Sequence, residues 1–510
     1  MTQNILLITA DQWRGDCLGV AGHPVVRTPA IDALAAAGTS FLRHYAQSAP
    51  CSPARASLYT GLYQMNHRVL RNGTPLDARH DNIAKALARQ GYQPTLFGYT
   101  DQAVDPRSTT PDDPRLTTYE EVLPGFAAEV KLPEDNAAWF EWMAARGHNL
   151  PKDPWAVFWP EAGKPELPST APPRYSQDET ETAFLTGAFL DWMVDRPQDV
   201  PWFAHLSFLR PHPPFLVPAP FNEMYDPAVG PAFRRAASPG EEAAQHPYLA
   251  YWLERATAGT FCLVEDGRRP VADWPEDAFR RVRATYWGMI SEVDRQIDRL
   301  IEGLKGAGAW DNTIIVLTSD HGEMMGDHWT LGKFGYFDQA YHIPLIVRDP
   351  SRTEGFGRRV AAFTEAVDVV PTILEAAGAE REGPSDGRSL SPFLRGETPA
   401  VWRQEAHWEY DFREVASGAA QQALGLDLDD CSLSVIRDGR YKYVHFAGLA
   451  PLLFDLAEDP DELRNFAEDR NYLAVRLEMA EKLLAWRGHY LDRRLTGISL
   501  TANGPVDARA

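Results

Sequence analysis

Three short stretches carry side chains whose types and spacing could do chemistry. Residues 51–61 read CSPARASLYTG, with a proline two places and an arginine four places after the cysteine. Pro53 suits the first turn of a helix whose free N–H groups would face an anion, and Arg55 adds a fixed positive charge one turn in. That describes an anion site with Cys51 at its mouth. The other two stretches are apolar runs that end in acids. NILLITAD ends in Asp11 with Gln12 beside it, and TIIVLTSD ends in Asp320 with His321 next. Two carboxylates, an amide oxygen and an imidazole together suit one divalent cation. Either aspartate alone would read as a turn cap, whereas both at the ends of apolar runs point to a metal.

The elements that must position these residues follow an α/β rhythm. Strand-length apolar runs at NILLITAD, QPTLFGY, 202–209, 313–320 and 343–349 alternate with helical patterns at TPAIDALAAAG, DNIAKALARQGY and about 276–305. Thr28 is placed to cap the helix that begins near Pro29, with Ile31, Leu34 and Ala35 on its inner face and Gly38 as its stop. Parallel strands joined by such crossovers predict a sheet covered on both faces, with ligands beyond the carboxyl ends of its strands. Residues 103–200 and 210–275 break the rhythm with Pro, Trp and acidic residues, and read as long loops with short helices that wall a site. A hairpin is expected in SLSVIRDGRYKYVHF, turning at Asp438 and Gly439, followed by a closing helix near 470–489. This divides the 510 residues into a catalytic α/β domain over 1–385 and a smaller α+β domain over 386–510.

Composition narrows the function. A net charge of −21 would repel a nucleic-acid backbone or an anionic membrane surface, so neither is expected as a partner, and an anionic substrate needs a locally positive pocket. Four widely spaced cysteines without a CxxC pair argue against a disulfide framework or a cysteine metal clip. The opening NILLITADQW has no signal-peptide form and no run is apolar enough to span a bilayer, so a cytoplasmic protein is expected. Fifteen tryptophans and the loop-rich middle suggest an aromatic-lined pocket.

CSPARASLYTG resembles the signature of the type I sulfatases of the alkaline phosphatase superfamily, C/S-x-P-x-R followed by four residues and T-G, at every fixed position. The resemblance runs from Asp11 through the DHG at 320–322 to FDLAEDPDELRNFA at 454–467. It implies an alkaline phosphatase-like fold, a large mixed and mostly parallel sheet sandwiched by helices. It also implies that Cys51 is oxidised after synthesis to formylglycine by a maturation enzyme. One oxygen of the hydrated aldehyde can attack phosphorus or sulfur, and the other can expel the covalent product.

The departures from the family carry substrate information. Arylsulfatases usually show two aspartates where this chain has Asp11-Gln12, and Asp-Asn where it has Asp320-His321. Exchanging a carboxylate for an amide and an amide for an imidazole favours Mn²⁺ or Zn²⁺ over Ca²⁺. The second sulfatase signature, G-Y-x-T-x-x-x-G-K-W-H, meets GYQPTLFGYTD at 91–101, so Tyr99 stands in place of the lysine and Asp101 in place of the histidine. This resembles the phosphonate monoester hydrolase branch, which shares Asp-Gln, Asp-His and the Gly-Tyr pair. By the same resemblance Asp101 is the base that collapses the intermediate, a protonated His212 in RPHPPF is the general acid, Lys333 in LGKFGY touches the transferred group, and Tyr99 and Asn72 meet the substrate. The metal set is Asp11, Gln12, Cys51, Asp320 and His321. The expected enzyme hydrolyses phosphonate monoesters, phosphodiesters and aryl sulfates, all small anionic esters with a singly charged centre, and is expected to form a homo-oligomer. The alternatives are a dedicated arylsulfatase on the same scaffold and a non-catalytic anion-binding protein.

Overall fold

The computed structural model describes residues 3–197 and 200–508. Nine strands form the main sheet: β1 (Asn4–Ala10), β2 (Thr39–Tyr45), β3 (Pro94–Gly98), β4 (Ala127–Lys131), β5 (Phe203–Phe208), β6 (Thr313–Thr318), β7 (His342–Ile343), β8 (Leu345–Arg348) and β9 (Arg358–Glu365). Their order is β4-β3-β5-β1-β6-β8-β2-β7, with β9 on β2. The run β4-β3-β5-β1-β6 is parallel throughout. β8 pairs antiparallel with both β6 and β2, which leaves β2 pointing the same way as β6.

Both faces of the central strands are buried, and alternate residues feed different cores. Leu6 and Ile8 of β1, with Ile315 and Leu317 of β6, join the core that packs under the long helix Glu276–Gly306. Ile5 and Leu7, with Ile314 and Val316, join the core built with the helices Cys51–Thr60, Ile83–Arg89 and Val369–Ala377. The result is a mixed, mostly parallel sheet flanked by helices.

A second, antiparallel sheet follows: β10 (Ala406–Asp411), β11 (Ser432–Arg437), β12 (Tyr441–Phe446) and β13 (Leu452–Asp455), in that order. The expected turn forms there, with Asp438 Oδ1 accepting from Arg440 N and Tyr441 N at 2.8 and 2.7 Å. The helix Leu473–Tyr490 follows. This sheet braces the approach to Cys51, because Glu409 N donates to Gln47 O at 2.9 Å and the Glu409 carboxylate accepts from Met65 N at 2.8 Å.

Two expectations need correction. Segment 103–200 is more ordered than a loop, since it holds β4 and the helix Glu181–Asp195. Its composition hid them, because β4 (AAEVK) is an exposed edge strand without apolar alternation. Residues 198 and 199 of that segment lie outside the described residues. Thr28 stands at the start of the helix Pro29–Ala36, but its side chain does not cap it. Thr28 Oγ1 instead accepts from Gly19 N at 2.9 Å and donates to Asp32 at 3.2 Å. Among the described residues no helix is long and apolar enough to cross a membrane, and all four cysteines are free and buried.

Candidate active site

Five strands deliver the chemistry to one edge of the sheet. β1 ends one residue before Asp11, β6 two before Asp320, β5 four before His212 and β3 one before Tyr99, while β2 leads through residues 46–50 into the helix that starts at Cys51. All five point the same way, so their carboxyl ends meet where ligands bind in such sheets. Close packing makes this possible. A Cβ on Gly98 would lie 2.2 Å from Ser207 O, and one on Gly322 would lie 2.1 Å from Gln339 O. Only glycine fits at either turn.

Ligand-type atoms of Asp11, Cys51, Asp320 and His321 all lie within 4.8 Å of one another, and all four side chains are buried. Cys51 Sγ is 3.3 Å from His321 Nε2. His321 Nδ1 lies 3.2 Å from Gly322 O. That contact fixes the proton on Nδ1 and leaves the Nε2 lone pair facing the cluster. Burial pushes the His321 pKa down, which keeps the ring neutral and able to ligate. Asp11 Oδ1 is buried with no hydrogen-bond partner. A buried carboxylate oxygen without a donor, turned toward a neutral imidazole, fits a cation. Gln12 Oε1 accepts from Lys333 Nζ at 2.6 Å. The second lone pair of that oxygen remains for a metal.

Arg55 is fully buried, and its place corrects the expectation. Its Nε donates to Asp320 Oδ2 at 2.9 Å, Nη2 to Asp11 Oδ2 at 3.1 Å and Nη1 to Ser207 Oγ at 2.9 Å. It locks the two carboxylates in place instead of facing an anion at the helix start. Tyr99 differs in the same way. Its hydroxyl donates to Asp11 Oδ2 at 2.6 Å, and its ring lies 4.2 Å under the Arg55 guanidinium. Tyr99 therefore orients a carboxylate, and its hydroxyl is not free for substrate.

Asn72 Oδ1 accepts from Ser52 N at 2.9 Å, at the first turn of the Cys51 helix. Burial works against the Lys333 ammonium, but the carboxylates of Asp11 and Asp320 beside it raise its pKa, so it stays charged. His212 is held by a loop that Arg210 braces through Nη1 to His212 O at 3.1 Å and Pro214 O at 3.0 Å. Burial, with Lys333 second, pushes the His212 pKa down to about 3. Its Nδ1 lies 2.8 Å from Pro213 O. The ring is therefore neutral in the free site, not protonated as expected, and its Nε2 is left as an acceptor. Asp101 is buried at a left-handed φ of 50° with Oδ1 unpartnered. Burial raises its pKa well above the carboxylate range. It rests as a neutral acid, where the sequence suggested a ready base. Burial, with Asp11 second, also raises the Cys51 thiol well above its ordinary value.

A cavity of about 400 Å³ reaches the cluster's neighbours Gln12, His212 and Lys333, and the aromatic rings of Trp155, Phe158 and Phe261 also line it. The loops that break the α/β rhythm supply those rings. A larger cavity of about 680 Å³ lies between the second sheet and the helix Leu473–Tyr490, away from Gln12, His212 and Lys333.

The sulfatase family model matches residues 3–379. The chain belongs to the sulfatase family. A model of the C-terminal part of N-sulphoglucosamine sulphohydrolase also matches, over 326–489. The chain is 42% identical over 501 residues to a multifunctional alkaline phosphatase superfamily protein, PehA, of Trinickia caryophylli, covering 97% of each. It is 26% identical to an arylsulfatase of Clostridium perfringens, covering 95% of this chain and 94% of that one. The crystal structure of a phosphonate monoester hydrolase of Agrobacterium radiobacter superposes with a TM-score of 0.96 at 54% identity, covering 100% of both chains. A phosphonate monoester hydrolase from Silicibacter pomeroyi superposes at 0.92 with 39% identity, covering 99% of each. The protein is a hydrolytic enzyme.

Sequence reasoning missed several residues of this sulfatase-family site. Ser207 accepts from Arg55. Tyr286 donates to Gln12 O at 2.7 Å and accepts from Arg14 N at 2.9 Å, which pins Gln12 at its left-handed φ of 66°. Glu323 is buried and accepts from Gln12 Nε2. Ser207, near the end of β5, and Glu323, two places after His321, could have been found by examining the polar residues that end buried strands. Tyr286 lies in the middle of a helix and has no such signal.

Proposed function

We propose that this enzyme is a metal-dependent hydrolase of phosphonate monoesters, phosphodiesters and aryl sulfate monoesters, with Cys51 as the precursor of formylglycine. The observation that carries the reading is the convergence of Cys51 Sγ with Asp11, Asp320 and His321 within 4.8 Å at the start of a buried helix. Asp11, Gln12, Asp320 and His321 would hold one divalent cation. The imidazole nitrogen of His321 favours Mn²⁺ or Zn²⁺ over Ca²⁺. Such a cation supplies Lewis acidity at the reacting oxygens. Oxidised by a maturation enzyme, residue 51 supplies a hydrated aldehyde, one oxygen to attack and one to expel.

The remaining work falls to the chain's own side chains. Lys333 and Asn72 offset charge on the non-reacting oxygens of the tetrahedral centre. His212 stands over the leaving group. An anionic ester beside it supplies the countercharge that the free site lacks and raises its affinity for the proton it donates. Asp101 takes the proton whose removal releases the product from residue 51, and does so once ionised. The aromatic wall at Trp155, Phe158 and Phe261 receives an aryl leaving group and excludes water.

The test is a panel of four aryl esters (phosphonate monoester, phosphodiester, sulfate, phosphate monoester) assayed on protein made with the maturation system. An aldehyde-reactive probe should label residue 51. The three singly charged esters should be turned over faster than the phosphate dianion. Activity on the sulfate alone would make the enzyme a dedicated arylsulfatase. Full activity with an unmodified thiol at Cys51 would sink the formylglycine reading, and Cys51→Ala should lose both labelling and turnover.

A further inference from the structure

An amide ligand has a wrong face. Gln12 can offer a cation Oε1 but not Nε2, whose hydrogens repel it, and the two ends of the amide have nearly the same shape. The site therefore needs something that sets the amide's orientation.

Glu323 is fully buried and stands behind the amide. Its Oε1 accepts from Met325 N at 3.0 Å and Gly332 N at 2.6 Å, and its Oε2 accepts from Gln12 Nε2. On the opposite side Lys333 Nζ, a donor only, meets Gln12 Oε1 at 2.6 Å. An acceptor behind and a donor in front allow one orientation. The backbone cannot relax around it, because Gln12 N donates to Asp320 Oδ1 at 3.1 Å and Gln12 O accepts from Tyr286. Through Gly332 N, the same carboxylate also anchors the residue next to Lys333. Glu323 is not among the four converging ligand atoms. Its contacts are with the Gln12 side chain and with the backbone N–H groups of Met325 and Gly332.

We propose that Glu323 is a positioning residue that turns the oxygen of Gln12 toward the metal and holds the Lys333 loop over it. The inference rests on the metal centre proposed above. In Glu323→Gln the new NH₂ faces Gln12, whose amide must then flip and present hydrogens to the cation. Mn²⁺ affinity of the metal-stripped protein, measured by titration against a chromophoric chelator, should fall roughly ten- to a hundredfold.

Gln12→Glu supplies the control that a merely structural role would not pass. A carboxylate has no wrong face, so adding Glu323→Gln to Gln12→Glu should leave Mn²⁺ affinity unchanged or tighter, since it also removes a facing carboxylate. Equal weakening in both backgrounds overturns the proposal, as does an unchanged affinity in Glu323→Gln alone. A wild-type protein that binds neither Mn²⁺ nor Zn²⁺ would overturn the metal centre itself. If Glu323→Gln does not fold, as the thermal melt of the metal-free protein will show, a crystal structure of the Mn²⁺-loaded wild type decides. Gln12 Oε1 at about 2.0–2.3 Å from the ion with Nε2 on Glu323 supports the assignment. A Gln12 side chain turned off the ion overturns it.

Discussion

The Tyr99 hydroxyl donates to Asp11 Oδ2 over 2.6 Å, and that oxygen is shared with Arg55. Asp11 is thereby left with one committed oxygen and one free one, Oδ1. A residue that stands in sequence where the sulfatase signature carries a lysine is the support of the Asp11 carboxylate. Tyr99→Phe should keep the fold and weaken metal binding about ten- to a hundredfold, read by titration of the stripped protein. KM for an aryl sulfate at saturating metal should move little. A large KM change at full metal occupancy would restore Tyr99 to the substrate.

Asp101 yields a pH prediction. Burial raises its pKa, so the carboxyl is protonated through the ordinary carboxylate range and reaches its basic form only as pH rises. Product release should therefore speed up with pH, on a limb above the usual carboxylate range. Asp101→Asn should abolish that limb, slow release roughly a hundred- to ten-thousand-fold and show a burst of aryl alcohol equal to the enzyme. Asn tolerates the left-handed φ of 50° at this position, so the variant changes chemistry and not backbone. A wild-type-like pH profile in Asp101→Asn would remove it from the reaction.

Metal removal tests the ligand set directly. Dialysis against a chelator should abolish turnover, and Mn²⁺ or Zn²⁺ should restore it where Ca²⁺ does not, because His321 offers nitrogen and not oxygen. His321→Asn should shift that preference toward Ca²⁺. Elemental analysis of fully active enzyme that finds only calcium would contradict the argument.

Acid stability depends on buried histidines outside the Asp11, Cys51, Asp320 and His321 cluster. Burial pushes His44 down to about 3 and His67 and His205 well below 6.5. Between about 3 and 6.5 the unfolded chain binds protons that the folded one refuses. Their contribution is thus fully present above 6.5 and is lost as pH falls, by about 1.4 kcal/mol per pH unit for each histidine. Urea unfolding at several pH values should show this slope, reduced by one such increment in His44→Gln. The whole-protein slope also carries the opposing protonation of buried carboxylates such as Glu292 and Asp294, raised to about 7 by burial, so the test is the variant: a slope unchanged in His44→Gln would refute it.

The sequence by itself determined the covalent frame of the site. CSPARASLYTG marked Cys51, and Asp11-Gln12 and Asp320-His321 marked the residues that gather around it, because each sits on a local pattern of strand end or helix start that adjacent residues specify. The α/β alternation likewise predicted a sheet with its ligands at the carboxyl ends of the strands. The tertiary structure alone decided what each charged group does. Arg55 and Tyr99 turn to carboxylates, His212 rests neutral and Asp101 protonated, and Glu323 faces Gln12, all because of partners brought from distant strands. Charge state and hydrogen-bond partner depend on burial and on neighbours hundreds of residues away. No local pattern records either one.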